Sequence, residues 1–522
     1  MTPPDALSSR LATLAFLVAS LGPSLGCSDS SAEDGSAGET VGDGDGDPTT
    51  GDGDPSGDGD GDPATGDGDG DGDPSGDGDN DGDGDGDGDG DGDGDGDGDG
   101  DPAMPSLCED VELPPRPGAE LLVSPAGPGE VELDGQTTTL RAVVSSANEG
   151  DTIVLADGTY TLAEAGPNNY TGVYITTPNI TIRSESGDPS AVILDSGYLK
   201  HGGQSALVTV AAPGVVIADL TVQRSIFHLI HFWPDGDDAL VHNVHLIDGG
   251  QQFIKASSGD GVIDGVEISC SSFVMTDAGR ENVWGYGAQN SNTRCYTGGI
   301  DTHDSTNWHI HDSYFEGIYC DTETPHPAHG QQDGGMTYTG GLAEHAIHMW
   351  DSEAGSGHLI ERNRIVNCAR GISIGFVSEV HGSRILNNTV YSEHAGSGEH
   401  DVGISVERAI DTLVAHNTVY FSHPEAYGSG IEYRWGNTAN LTLHGNLTNR
   451  MIRARDGANA ELVDNLGEAD DAGAWFVAPA EGDLHLSDCA GPGQAAAHAE
   501  VSVDIDGDPR QDPTTRGADV CP

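Results

Sequence analysis

Two short patterns of apolar and polar positions alternate along the chain from about residue 119 onward. The first reads apolar-x-x-Asn-x-apolar, and its copies begin at Ile360, Ile385, Val414, Leu443 and Leu462. The second usually begins with a small residue and Ile and then alternates, as in GIDTHDS, AIHMWDS, GISVER and GIEYRWG. Copies of the first pattern lie about 19 to 29 residues apart. Repeats of this length predict a β-solenoid, in which each coil adds short strands that pair in parallel with neighbouring coils.

The fourth position of the first pattern is an asparagine in each of these copies. Earlier copies, which begin at Val241, Ile263 and Ile310, keep the apolar positions and lack this asparagine. Stacked side-chain amides can hydrogen-bond along a column and to nearby backbone. We therefore predict that one turn of the solenoid carries a ladder formed by Asn363, Asn388, Asn417, Asn446 and Asn465.

These repeats, with the entry segment LRAVVSSANEGDTIVLADGTYTL (residues 140–162), resemble the right-handed parallel β-helix of the pectin-lyase-like superfamily. The resemblance implies an all-β fold over residues 119–522, with a short N-terminal capping helix. Leu140, Val143, Val144 and Ala147 fit the core face of that helix. The superfamily contains lyases, hydrolases, epimerases and non-catalytic surface proteins, so the resemblance implies a fold rather than one reaction.

In this superfamily the asparagine ladder lies between the second and third sheets, and polysaccharide binds along the outer face of the first sheet. The Ile-led pattern then forms the first sheet. With Ile pointing inward, the next residue and the one two positions later point outward. The first outward column is predicted to contain His231, Lys255, Asp301, His348, Ser373, Ser405, Glu432 and Arg453. The second is predicted to contain Trp233, Ser257, His303, Trp350, Gly375, Glu407, Arg434 and Arg455.

Four residues of these columns are the catalytic candidates: Lys255, Asp301, His303 and His348. Column neighbours in stacked coils lie about 4.8 Å apart, so Lys255, Asp301 and His348 should be adjacent. Lys255 or His348 can act as a base, and a charged lysine can stabilise negative charge. Each of these residues also fits an ordinary polar strand surface, where Asp–His neighbours are commonly simple ion pairs.

Two long insertions, residues 274–298 and 319–345, precede the strands of Asp301 and His348 and should border a groove there. Aromatic rings can stack on sugars, and arginines suit an anionic polymer. The substrate-binding candidates are His231, Trp233, Trp350, Glu432, Arg434, Arg453 and Arg455. Asp301 and Asp304, together with His303, are candidate ligands for a Ca²⁺ or transition-metal ion. The segment VDIDGDPR (503–510) also looks like a calcium loop, but more closely resembles a closing sequence of secreted β-helices.

These features predict a polysaccharide-binding β-helix that acts on an anionic, uronate-type glycan, with a lyase expected ahead of a hydrolase or an epimerase. Uronate β-elimination needs a base, charge neutralisation at the carboxylate and a proton donor. The motif strings of polygalacturonases are absent, which disfavours hydrolysis. The alternative is a non-catalytic glycan-binding or adhesion solenoid, which predicts a flat, open ladder without convergent side chains.

The N-terminus predicts export. Residues 1–27 combine Arg10 with an apolar stretch that is too short to span a membrane, and Cys27 is placed like the lipidated cysteine of bacterial lipoproteins. A simple secretory signal is the alternative. Residues 28–106 contain 29 acidic and no basic residues, mostly as Gly-Asp repeats, so residues 28–118 are predicted to be a disordered linker. The protein is expected to be lipid-anchored at the cell surface or outer membrane, or secreted.

The net charge of −68 argues against nucleic acid as a partner, and a monomer is expected. Export permits disulfides. Proximity along the proposed fold pairs Cys270 with Cys295, Cys320 with Cys368 and Cys489 with Cys521, and leaves Cys108 over.

Overall fold

Parallel strands wind into three sheets in a computed structural model of the chain. The structure describes residues 108, 111–162, 172–198, 206–257, 261–282, 297–320, 326–327, 337–338, 342–350, 356–376, 378–396 and 400–521. The signal segment, Cys27 and most of the predicted linker therefore lie outside the described residues. No helix among the described residues is long and apolar enough to cross a membrane.

The first sheet, hereafter the site sheet, is formed by the Ile-led pattern, and its strands pair in parallel throughout. Its strands are Val173–Ile175, Ala206–Val210, His228–Phe232, Gln252–Ser257, Gly298–His303, His345–Trp350, Arg370–Ile374, Ile404–Glu407, Ser429–Arg434 and Met451–Ala454. The leading isoleucines Ile254, Ile300 and Ile347 are fully buried and occupy the same register on neighbouring strands. A stack of such coils buries one continuous apolar core, which a single coil cannot do.

The second and third sheets are joined in one larger sheet by Val216–Ser225 and Leu240–Gly249, which run through the turn between them. The other second-sheet strands are Thr152–Leu155, Thr181–Ser184, Glu267–Ser269, His309–His311, Leu359–Glu361, Arg384–Leu386, Leu413–Ala415, Thr442–His444 and Glu461–Val463. The other third-sheet strands are Gly158–Thr161, Val192–Asp195, Ser272–Val274, Tyr314–Glu316, Arg364–Val366, Thr389–Ser392, Thr418–Phe421 and Leu447–Thr448.

The all-β fold class predicted from the sequence, a right-handed parallel β-helix, is confirmed.

The asparagine ladder lies at the turn between the second and third sheets, as predicted. The Nδ2 atom of each asparagine donates to the Oδ1 atom of the next, at 2.8–3.0 Å from Asn363 to Asn465. Each Oδ1 also accepts a backbone N–H of the preceding coil. Every side chain in the ladder therefore satisfies backbone that the turn leaves unpaired.

Serines continue this ladder toward the N-terminus, and they correct one predicted repeat. The backbone N–H of Ser313 donates to Asn363, and that of Ser271 donates to the hydroxyl of Ser313. The coil before Ile310 is led by Ile268, which pairs with Val241 and Ile310. The predicted copy at Ile263 was therefore wrong, because Ile263–Asp264 forms a separate short pair with Ser305–Thr306.

The N-terminal end is closed by a helix and three strands. The helix Leu140–Ser146 buries Leu140, Val143 and Val144, as expected of the capping helix, and Thr139 caps its N-terminus. Strands Glu120–Gly127, Glu130–Leu133 and Gln136–Thr138 pair antiparallel, and the first also pairs in parallel with Thr152–Leu155. The chain already contacts the β-helix before Glu120, because Arg116 donates to Thr181 Oγ1 and to the carbonyl of Gly214.

The remaining elements lie in turns and at the C-terminal end. They are the helix Asp277–Asn282, the strands His326–Pro327, Thr337–Tyr338, Val380–His381, Ala409–Ile410, Phe476–Ala478, Asp483–Leu486, Gln494–Ala495 and Thr514–Thr515, and the 3₁₀ helices Ala472–Trp475 and Pro479–Glu481.

Two of the three predicted disulfides were wrong. Cys108 bonds to Cys270, which ties the segment before the capping helix to the turn between the second and third sheets. Cys368 is a buried free thiol, so it does not pair with Cys320, which is itself disulfide-bonded. The Cys489–Cys521 bond is confirmed. Sequence proximity failed for Cys108 because winding the chain brings residues 162 positions apart into contact.

Candidate functional site

The strand register places the predicted outward columns as expected. Lys255 pairs with Asp301, and Asp301 pairs with His348, on three successive strands of the site sheet. His303 pairs with Trp350 two residues further along the same strands. Strand pairing therefore brings the four catalytic candidates, Lys255, Asp301, His303 and His348, onto one face of the sheet.

Asp301 lies at the centre of these four residues. The Nζ atom of Lys255 contacts Asp301 Oδ2, and the same Nζ lies 3.0 Å from His303 Nε2. Nδ1 of His348 lies 3.3 Å from the other carboxylate oxygen, Oδ1. His303 Nε2 lies 3.6 Å from Oδ2. The side chains thus converge, whereas a simple ladder would place them in parallel rows.

The cluster is more buried than an outward-facing strand leads one to expect. Lys255, Asp301 and His348 are 7%, 4% and 6% exposed, whereas the His303 side chain remains 38% exposed. Of the four, His303 is the one that presents substantial surface to solvent. A substrate would therefore meet His303 first, with the ion pair of Lys255 and Asp301 behind it.

Electrostatics set the protonation of the cluster. Burial raises the pKa of the Asp301 carboxyl, but the charge of Lys255 and the hydrogen bond with His348 outweigh burial and hold this pKa well below its usual range. Burial and the charge of Lys255 lower the pKa of His303 to about 4. At neutral pH, Asp301 is thus a carboxylate and His303 is a neutral imidazole that can accept a proton.

A third outward column, two residues before each leading Ile, was missed by sequence reasoning. It contains His228, Gln252, Gly298, His345 and Arg370. The residue directly before the Ile also faces the core, because a Cβ at Gly299 would lie 3.1 Å from the ring of Phe315. Strict alternation fails there. The repeated strings HLIH (228–231) and HAIH (345–348) were the available signal, since each has histidines three residues apart.

This third column extends the buried histidine group on both sides of the central four. The rings of His345 and His348 lie 4.7 Å apart, and those of His228 and His231 lie 5.1 Å apart. Burial and the charge of Lys255 lower the pKa of His228 to about 3. Burial and neighbouring positive groups lower the pKa values of His231 and His345 well below the usual range. These three imidazoles are therefore neutral at physiological pH.

The aromatic candidates contact the histidines. The ring of Trp350 lies 4.3 Å from that of His303, in an edge-to-face arrangement, and 5.8 Å from that of Phe376. The ring of Trp233 lies 4.8 Å from that of His231. Both tryptophans are partly exposed, so each keeps some apolar surface that a sugar ring can cover.

The predicted basic strip is paired with carboxylates. Glu432 is 2% exposed and lies 2.9 Å from Arg455 Nη1 and 3.8 Å from Arg453 Nη1. Arg434 Nε lies 2.7 Å from Asp456 Oδ2. These acids offset the arginine charges, so the strip offers an anionic polymer less attraction than three uncompensated arginines would.

Candidate metal ligands among the described residues form two groups that differ from the predicted set. Asp301, His303 and Asp304 belong to neither. One group is Glu344, His345 and His348, next to the catalytic candidates, and the other is Asp504, Asp506 and Asp519 in the closing segment. Asp504 accepts the backbone N–H groups of Asp506, Asp508 and Val520, which accounts for it as a turn-forming residue.

The described ends of the two insertions connect third-sheet strands to site-sheet strands: Ser272–Val274 to Gly298–His303, and Tyr314–Glu316 to His345–Trp350. His345 therefore begins a strand, although the sequence placed it in the second insertion. Within the first, Arg280 donates to the carbonyls of Met275 and Gly317 and lies over the ring of Tyr319, so it anchors the insertion. Four other polar or aromatic residues of these two insertions, Trp284, Tyr286, Arg294 and His329, lie outside the described residues.

No protein-family model matches the chain, and no curated protein matches it in sequence. Several solved structures do match. The pectate lyase Pel9A is 13% identical, with a TM-score of 0.36, and the match covers 77% of this chain and 89% of that one. A PL6 alginate lyase in complex with a trisaccharide is 14% identical, with a TM-score of 0.37, and the match covers 63% of this chain and 56% of that one.

The complex of XylC with xylose is 10% identical, with a TM-score of 0.37, over 67% of this chain and 75% of that one. At this level of similarity none of these proteins bears on the chemistry of the site. The parallel β-helix, which is the architecture of the pectin-lyase-like proteins, is established by the sheets of this chain.

Proposed function

We propose that this protein binds an anionic, uronate-type polysaccharide on the outer face of the site sheet and cleaves it by β-elimination. The observation that carries the proposal is the convergence of Lys255, His303 and His348 on Asp301. Three of these four side chains are buried, and the partly exposed His303 connects them to solvent. Perturbed titratable groups that cluster in this way are a common property of catalytic sites.

The four catalytic candidates can take different roles in the abstraction of a proton from the sugar. His303 is neutral and partly exposed, so its Nε2 can take the proton from C5 of a uronate when Lys255 turns from His303 to the sugar carboxylate. As the C4–O bond breaks and the C4=C5 bond forms, the resulting imidazolium can give that proton to the leaving oxygen. Lys255 places positive charge 3.0 Å from His303, where it can stabilise negative charge that develops on the sugar carboxylate. Asp301 holds the Lys255 amine in place and contacts His348 on its other side, so Asp301 and His348 position the pair.

The neighbouring tryptophans support a sugar as the substrate. Trp350 packs against His303, so a ring stacked on Trp350 would lie beside the proton acceptor.

A panel of pectate, alginate and glucuronate-containing polysaccharides tests the proposal. Elimination creates an unsaturated uronate, whose ultraviolet absorbance is followed with the wild type, Lys255→Ala, His303→Gln and His348→Ala. We expect turnover of at least one polymer by the wild type and a loss of about 100-fold or more in each variant. Asn459→Ala, at an exposed turn, is the matched control and should keep full activity.

The second candidate function is a non-catalytic glycan-binding or adhesion solenoid. The compensated charges of Arg434, Arg453 and Arg455 favour it, because ion pairs of this kind also occur in purely structural ladders. Binding of a polymer without turnover of any uronate would decide for this candidate. Release of reducing ends without unsaturated product would indicate a hydrolase instead.

We also propose that the protein is exported and works as a monomer at the bacterial surface, lipid-anchored through Cys27. The apolar N-terminal stretch and the long Gly-Asp segment support this proposal, and the acidic charge disfavours nucleic acid as a partner. Membrane fractionation of the wild type and Cys27→Ser tests it. Equal recovery of both proteins in the soluble fraction would contradict the lipid anchor.

A further inference from the structure

Glu344, His345 and His348 lie at the start of one strand of the site sheet and share a small volume beside Asp301. One potential ligand atom from each residue lies within 4.8 Å of the other two. The Nδ1 atom of His345 is 4.0 Å from Glu344 Oε2. This set supplies two imidazoles and one carboxylate, which is a donor combination used for zinc and for non-haem transition metals.

His345 provides a second and independent observation. His345 is 9% exposed, and its Nδ1 atom is buried without a hydrogen-bond partner. Burying a polar nitrogen without a partner costs free energy, so most such atoms in native proteins have one. The 4.0 Å to Glu344 is too long for a hydrogen bond. Two ligands of one tetrahedral ion lie about 3.4 Å apart at metal–ligand distances near 2.1 Å, so a small movement would let both bind it.

Gly298 allows Glu344 to approach the sheet at this point. A Cβ at residue 298 would lie 2.7 Å from the Cβ of Glu344, which is closer than real Cβ atoms come. The backbone N–H of Glu344 donates to the carbonyl of Thr297 at 2.8 Å, so the neighbouring backbone is fixed as well. The absence of a side chain at Gly298 therefore lets the Glu344 carboxylate lie next to His345 and His348.

The surroundings of the three residues also suit a bound cation. Asp301 Oδ1 lies 3.3 Å from His348 Nδ1, so a proton shared there directs His348 Nε2 toward a metal. A carboxylate behind a ligating histidine is a frequent arrangement at metal sites. Arg370 Nη1 lies 4.0 Å from Glu344, but Arg370 Nε lies 3.6 Å from Asp401, so Asp401 can balance the arginine when Glu344 binds a cation.

We propose that Glu344, His345 and His348 bind one divalent transition-metal ion of the zinc type. Two imidazole ligands favour such an ion over Ca²⁺, which takes oxygen ligands. The site differs from the predicted set of Asp301, His303 and Asp304, because Asp301 acts behind a ligand. The inference does not rest on the proposed lyase activity, since the three donors would hold the ion whatever polymer the protein binds.

Cobalt titration of the full-length, untagged protein tests the site. The protein is treated with a chelator, freed of it and titrated with Co²⁺ while visible absorption is recorded. The acidic N-terminal segment offers only oxygen ligands, so bands characteristic of Co²⁺ with nitrogen ligands report on histidines. We expect these bands to saturate at one Co²⁺ per chain and to disappear when Zn²⁺ is added.

Two variants and one control complete the test. His345→Ala should abolish the bands, and Glu344→Gln, which keeps the shape of the side chain, should weaken binding by about tenfold or more. His423→Ala, at a histidine after a third-sheet strand, should leave the titration unchanged. Circular dichroism checks that each variant is folded. If His345→Ala does not fold, the Glu344→Gln titration decides.

Two results would overturn the site: no nitrogen-ligand bands in the wild type, or equal Co²⁺ affinity in the wild type and the folded variants. These results do not test the lyase proposal, which is tested separately by the polysaccharide panel. Uronate turnover by a protein without Co²⁺ bands would overturn only the metal site. Saturable bands in a protein that turns over no polymer would overturn only the lyase activity.

Discussion

The side-chain amine of Lys255 contacts the carboxylate of Asp301 across two neighbouring strands, and both residues are more than nine-tenths buried. A buried ion pair gains its attraction at the cost of removing two charges from water. Removal of one partner leaves the other charge buried and uncompensated. The pair is a functional candidate, and the loss of either partner should also lower the free energy of unfolding.

Asp301→Asn should destabilise the protein by about 3–5 kcal/mol, because it leaves the Lys255 amine without its counter-charge. Lys255→Met combined with Asp301→Asn should cost less than Asp301→Asn alone, since no unpaired charge remains. Urea denaturation of the two variants and the wild type measures these differences. A double variant that costs as much as Asp301→Asn alone, or more, would contradict this expectation.

Asn417→Ala should destabilise the β-helix by about 2–4 kcal/mol. Asn417 is fully buried, donates to Asn446 Oδ1 and to the carbonyl of Ile385, and accepts from Asn388. Its removal leaves several buried polar groups without partners, each of which costs about 1–3 kcal/mol. Urea denaturation gives the value. Asn459→Ala, which removes an exposed asparagine, is the control and should change stability by less than about 0.5 kcal/mol.

Stability should fall as the pH rises from about 6.5 toward 9, in part because of His311. Burial lowers the pKa of His311, but hydrogen bonds with Asp312 and Glu267 outweigh burial and raise this pKa to about 9. The folded protein therefore binds the His311 proton more tightly than the unfolded chain does. The full contribution of His311 to the free energy of unfolding is present below the unfolded pKa. It is lost as the pH passes the folded value. The contribution is about 3 kcal/mol, from about 1.4 kcal/mol for each pKa unit.

His311→Asn isolates this contribution from other titrating groups. The difference in unfolding free energy between the wild type and the variant should be about 3 kcal/mol smaller at pH 10 than at pH 6. Urea denaturation at a series of pH values measures it. A difference that stays constant over this range would exclude His311 as a source of the pH dependence.

Cys368 should resist alkylation in the folded protein. Its thiol is buried, and burial raises its pKa to about 12, so it holds almost no reactive thiolate at pH 8. Iodoacetamide treatment followed by peptide mass spectrometry should find Cys368 unmodified under native conditions and fully modified in denaturant. Rapid modification of Cys368 in the native protein would contradict its burial.

Periodic features were predictable from the sequence because a solenoid repeats the same local interactions in every coil. The leading isoleucines, the asparagine ladder and the pairing of Lys255 with Asp301 and His348 all follow from one register, and a register is fixed by the repeat. The copy at Ile263 was misassigned because its apolar spacing matched the repeat, although its strand lies outside the three main sheets.

Features that break the repeat were not predictable in the same way. The partner of Cys108 depends on how the chain is wound, and the outward position of His345 departs from strict alternation, since the residue before the leading Ile also faces the core. The sequence contains the carboxylates that pair with Arg434, Arg453 and Arg455. Which carboxylate contacts which arginine depends on side-chain directions that the sequence does not specify.

The sequence by itself determined the parallel β-helix, the sheet that carries the candidate site and the alignment of Lys255, Asp301 and His348, because strand periodicity specifies which side chains share a face. Only the tertiary structure decided that these side chains converge on Asp301, that they are buried and that Glu344 joins His345 and His348. Those relationships depend on distances between side chains of different coils and on the close approach at Gly298, and local periodicity does not encode them.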